Sequence, residues 1–142
     1  MSKTSVMLSI CGKQSYDGQE PDSIELVTEG TMLHRDDAWL ISYDESELTG
    51  LEGVTTHFRV DSKGVTLRRS GRLQSEMVFR LGERHESLYQ LDFGAMVIGV
   101  CAQKISHDLY EKKGGTVDLV YNIDIEQTTA GKVEYHLDVR PK

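Results

Sequence analysis

The chain has 142 residues, with 38% apolar and 27% charged side chains, 13 Gly and only 2 Pro. This excludes a disordered chain, which would be poorer in core-forming residues, and a collagen-like one, which would be far richer in Pro. Sixteen Lys and Arg against 23 Asp and Glu leave a net charge of −7, so no global field draws the chain to phosphate backbones, and nucleic acid is not an expected partner.

Residues 1–10 contain one early lysine but neither the long apolar stretch nor the small-residue cleavage site of a secretory signal. The longest apolar run, Ala95 to Ala102, is far shorter than the roughly 20 residues of a spanning helix, so no membrane segment is expected. Cys11 and Cys101 have no second Cys or His at metal-ligand spacing. They read as reduced thiols, and the protein as cytoplasmic.

Hydrophobic alternation predicts strands in chain order near residues 5–11, 23–34 and 38–43. Val54, Thr56, Phe58 and Val60 then alternate with polar partners, and Asp61 to Gly64 supplies a turn. Val65 and Leu67 begin the return strand, and a second turn at Arg69 to Gly71 leads to Leu73, Ser75, Met77, Phe79 and Leu81 on one parity. Further strands follow at 85–91 and 96–101, with one helical turn near Ser106 to Lys112. Val117, Leu119, Tyr121, Ile123 and Ile125 form the dry face of the next strand, and Val133, Tyr135, Leu137 and Val139 that of the last. About ten short strands joined by tight turns favour an up-and-down antiparallel meander, which can roll into a barrel and so remove its exposed edges. A closed all-β barrel of about 8–10 strands is the first expectation and a sandwich the second, in one domain over 1–142.

Segments 43–54, 65–71 and 77–79, with Leu88-Tyr89, Phe93-Gly94 and Gly99-Val100, resemble the YwiB-like bacterial family of unknown function. The likeness extends over roughly residues 5–140 and implies a calycin-like, lipocalin-like barrel in the cytoplasm, with no activity to carry over. Family members usually have Thr and Pro before the aromatic-Gly pair, where this chain has Leu91 and Asp92.

The informative residues are polar ones on the dry parity. From Trp39 and Ile41 the inward register continues through Tyr43 to Glu45, and from Val65 and Leu67 it continues to Arg69. A carboxylate and a guanidinium facing the interior must be satisfied there, because an unpaired buried charge is very costly. One reading is a Glu45–Arg69 ion pair, with Tyr43 or Tyr89, closing a barrel end. The other has Arg69 meeting the polar or acidic head of a ligand whose body fills the apolar interior. A bulge that slips the parity would instead turn both groups to water.

Residues 57–85 carry seven Lys and Arg against three acids, a net of +4 that leaves −11 elsewhere. This could make one sheet face basic, although charge runs are usually solvated faces. Asp36-Asp37 sits at a hairpin turn, and Glu45 with Glu47 forms a second carboxylate pair. His34, His57, His85, His107 and His136 lack metal spacing, Ser46 and Ser70 lack a nucleophile elbow, and Lys112 to Gly115 precedes a strand rather than a helix. No metal, cofactor or catalytic residue is expected. The leading expectation is a noncatalytic module binding a small amphipathic or acidic molecule, with Tyr43, Glu45, Arg69 and Tyr89 at the mouth and Trp39, Phe58, Met77, Phe79 and Met96 inside. The alternative is a protein-interaction or homodimerisation module with a filled barrel. A metal-dependent hydrolase or phosphotransferase ranks last.

Overall fold

The computed structural model describes residues 3–15, 20, 22–46, 52–91, 94–126 and 128–142. Glu47 of the second carboxylate pair, Asp92 and Phe93 of the family segment, and Gln127 of the last turn lie outside the described residues.

Ten strands follow one another: β1 (Thr4–Ser15), β2 (Asp22–Arg35), β3 (Ala38–Asp44), β4 (Val54–Asp61), β5 (Gly64–Gly71), β6 (Ser75–Phe79), β7 (Arg84–Leu91), β8 (Gly94–Tyr110), β9 (Gly114–Ile125) and β10 (Thr128–Pro141). They form one antiparallel sheet in the order β6-β5-β4-β3-β2-β1-β10-β9-β8-β7, nearly closed into a barrel. No helix occurs among the described residues. Where a helical turn is expected near Ser106 to Lys112, β8 runs on to Tyr110 instead. A bulge explains the difference. Ala102 pairs with Tyr121 and Lys104 with Val120, leaving Gln103 as an extra residue. Inward positions are therefore Ile98, Val100 and Ala102 before the bulge, and Ile105 and Leu109 after it. One inserted residue reverses the parity, and the period of two is lost from a strand that continues unbroken.

Tight turns set the register. Asp36 and Asp37 both have positive φ, 52° and 62°, and Arg35 pairs with Ala38 across them. That is the two-residue hairpin whose mirror-image turn matches strand twist, and short Asp side chains tolerate it. These carboxylates serve the turn. At the β4–β5 connection the Asp61 carboxylate accepts from the backbone N–H of Lys63 at 2.9 Å and of Gly64 at 3.1 Å.

Cross-strand pairing stacks the inward residues of β3 to β6 in rows. Trp39, Val60, Val65 and Phe79 form one row and Ile41, Phe58, Leu67 and Met77 the next. Tyr43, Thr56, Arg69 and Ser75 form the third. The first two rows are apolar and join Val6, Leu8, Val100, Leu119, Leu137 and Val139 in a continuous core. The third is polar and lies toward one end of the barrel, because the same alternation that brings Ile41 inward also brings in Tyr43.

Closure between β6 and β7 is partial. Among the described residues, Gln74 and Gln90 exchange two backbone hydrogen bonds, of 3.1 and 2.9 Å, and the Gly82 N–H donates to the Ala102 carbonyl at 3.0 Å. Strand β7 buries little: Ser87 and Tyr89 are half-buried, and its other described side chains are exposed. Stability is lowest where few apolar contacts and few ladder bonds hold an element. Amides of β7 are therefore expected to exchange with solvent orders of magnitude faster than those of β1 and β10. Hydrogen exchange read by mass spectrometry checks this, and equal protection of β7 and β10 would show the seam to be as firmly closed as the rest of the sheet.

Candidate functional site

A chamber of about 650 Å³ opens at the polar end of the barrel. Tyr43, Glu45, Arg69, Met77, Tyr89 and Met96, all expected from sequence, line it. Trp39, Phe58 and Phe79 do not. Trp39 stacks on His34 of the paired strand, centroids 4.1 Å apart, in the row farthest from the polar one. Phe58 packs beneath the chamber, 6.4 Å from the Tyr43 ring and 5.7 Å from that of Tyr135. Phe79 is wholly buried against Tyr121 at 4.5 Å. These three rings fill the barrel below its empty part, as inward side chains do in narrow barrels.

The parity reading holds for the two charged residues: Glu45 is 8% exposed, and Arg69 is half-buried and lines the chamber. Glu45 stands one inward position beyond Tyr43, and its backbone N–H is anchored to the Val54 carbonyl at 2.8 Å. Its carboxylate accepts from the Thr56 hydroxyl at 2.8 Å and from the Tyr43 hydroxyl. Tyr43 in turn accepts from the hydroxyl of Tyr135, on β10. A chain of donors thus runs from Tyr135 through Tyr43 to Glu45. Gly30 makes room for it, since a Cβ there would lie 2.7 Å from Leu8 Cδ1 and 3.3 Å from the Tyr43 Cβ.

Burial, and then the hydrogen bond to the Glu45 carboxylate, pushes the Tyr43 phenol far above the ordinary tyrosine range. Burial does the same to Tyr135, followed by the neighbouring Tyr43. Both phenols remain protonated donors throughout the physiological range. Arg69 opposes and Glu45 reinforces this shift at both rings, so the two charges act on the same hydroxyls from within one polar end.

Among the described residues, Arg69 Nε and Ser75 Oγ are buried there without a hydrogen-bond partner. Arg69 and Ser75 are cross-strand neighbours. Ser75, Thr56 and Tyr135 are the members of this cluster that sequence reasoning passed over. Each stands on a dry parity, and that was the available signal. Opposite them the walls are apolar, formed by Ile10, Leu26, Ile98, Ile123 and Val133.

Among the described residues, two of the seven cations of the basic segment 57–85 are paired with acids. Arg59 bonds Asp61 at 2.9 Å, and Arg84 bonds Asp124 at 2.7 Å and Glu86 at 3.0 Å. Outside the barrel His57 lies 3.0 Å from Ser42 Oγ and 3.4 Å from Ser70 Oγ. Desolvation, then Arg68, holds it below the usual histidine range.

The comparisons agree with this architecture. No curated protein matches the chain. A solved structure, that of the ywiB protein from Bacillus subtilis, matches with a TM-score of 0.88 over 99% of this chain and 93% of that one, at 22% identity. The fold is therefore the same ten-stranded, nearly closed barrel at low sequence similarity. Matching across residues 8–137, the chain belongs to the family described as Domain of unknown function (DUF1934).

Proposed function

We propose that the protein is a noncatalytic binding module for a small amphipathic molecule, whose apolar body occupies the barrel and whose polar head lies against Tyr43, Glu45 and Arg69. One observation carries this reading: a chamber of about 650 Å³ with largely apolar walls has Tyr43, Glu45, Arg69 and Tyr135 in its lining. Volumes of this order suit a small organic ligand, and a few convergent polar groups on an apolar wall are the usual makeup of such sites. Cys11 and Cys101 are unbridged and half-buried, in keeping with a reducing, cytoplasmic setting.

Nile red, a neutral solvatochromic dye, tests the reading. On titration with the protein its emission is expected to shift to the blue and brighten. Met77→Trp, which fills the chamber from β6, is expected to abolish the change while leaving the far-ultraviolet circular dichroism intact. A dye that stays dark with the native chain, or responds equally to the filled variant, would remove the basis for a ligand chamber. The alternative, an interaction or dimerisation module, draws on Val27 of β2, which is 66% exposed. It requires a filled interior, and the chamber favours the first reading.

A further inference from the structure

Given the ligand chamber proposed above, its walls also discriminate between kinds of apolar body. Four of the chain's six tyrosines line it, together with Met77 and Met96. Five of these six side chains come from strands that follow one another in the sheet and round its seam: Tyr135 from β10, Tyr121 from β9, Met96 from β8, Tyr89 from β7 and Met77 from β6. Tyr89 and Met96 are cross-strand partners, and both are half-buried. A ring and a thioether thus stand side by side on the chamber wall, with surface left for a ligand to cover. Half-way round the strand order, β1 and β2 bring a second cross-strand pair, Ile10 and Leu26, to the same chamber.

We infer that the ligand's body is a planar aromatic ring system, held between the Tyr89–Met96 pair and the Ile10–Leu26 pair, and not a saturated alkyl chain. Either kind of body buries apolar area against Ile10 and Leu26, so that wall does not choose between them. The tyrosine and methionine wall distinguishes them. A tyrosine ring gives another ring an edge-to-face or offset-stacked contact, and a thioether gives it a sulfur–ring contact, each worth more than the area alone. An alkyl chain gains neither and loses rotamer freedom when it is held. The barrel already packs rings in this way: Phe79 lies 4.5 Å from Tyr121 and Phe58 lies 5.7 Å from Tyr135, centroid to centroid. Tyr121 and Tyr135 also line the chamber, so a bound ring extends ring packing that the interior has begun.

Isothermal calorimetry on the intact chain with naphthol and octanol at neutral pH tests the inference. Each alcohol carries a single uncharged hydroxyl and dissolves to a similar extent in water, so the two differ chiefly in the ring. Naphthol is expected to bind at least about tenfold more tightly than octanol. Tyr89→Leu combined with Met96→Leu keeps the wall apolar, and is expected to weaken naphthol by about five- to tenfold while leaving octanol within about twofold. Tyr89→Phe, which retains the ring, is expected to keep the native preference. Octanol binding as tightly as naphthol, or the double leucine variant keeping the native preference, would overturn the aromatic body while leaving the ligand chamber standing. Failure of both alcohols to bind would do the same if Nile red still responds, and would overturn both readings if the dye is silent as well.

Discussion

Above pH 10 the barrel is expected to lose stability through two phenols alone, at a rate of up to about 1.4 kcal/mol per pH unit for each. Tyr43 and Tyr135 are held protonated in the fold, first by burial, so the unfolded chain releases these protons near the ordinary tyrosine value while the folded one keeps them. Over that window the unfolded state binds fewer protons than the native state. Stability therefore falls as pH rises, and the full contribution is present below pH 10. Urea midpoints measured across the range check the slope, which Tyr43→Phe combined with Tyr135→Phe should largely remove. A native chain with flat midpoints up to pH 12, or a double variant with an unchanged slope, would mean that the two hydroxyls are in free exchange with water.

Arg69→Ala is expected to cost about 3 kcal/mol, the second large effect. Arg69 lines the same polar end as the Glu45 carboxylate, which is 8% exposed, so removing the guanidinium takes a positive charge away from the surroundings of a buried carboxylate. The hydroxyls of Thr56 and Tyr43 still reach that carboxylate, so the loss falls at the lower end of what stranding a buried charge costs. Combining Arg69→Met with Glu45→Gln removes both charges, and is expected to recover most of the deficit. The comparison is a shift of urea midpoint at constant slope with denaturant. A shift in Arg69→Ala below about 1 kcal/mol would instead make the residue an ordinary solvated surface cation.

Much of this was legible beforehand. Strict alternation in β4, β9 and β10 specifies strands with one dry face, and tight turns between them specify a meander that rolls up. Parity also placed Glu45 and Arg69 on the enclosed side. It could not give height along the barrel axis, which is why Trp39, Phe58 and Phe79 were expected to line the ligand space when they fill the barrel below it. Height is set by cross-strand register, and the pairs Trp39–Val60, Val60–Val65 and Val65–Phe79 are nonlocal facts. The bulge after Ala102 was equally hidden, since one inserted residue looks the same in sequence as the end of a strand.

The strand order has a kinetic consequence. The two halves of the sheet, β1 to β6 and β7 to β10, are each built from hairpins between consecutive strands, and loops that short close quickly. They meet through β1 and β10 at the middle of the sheet, where Val6 faces Pro141. Almost the whole chain must be searched before that ladder can nucleate. Bringing its first and last strands together is thus the slow, entropy-limited event of folding, and the central ladder is the last to form.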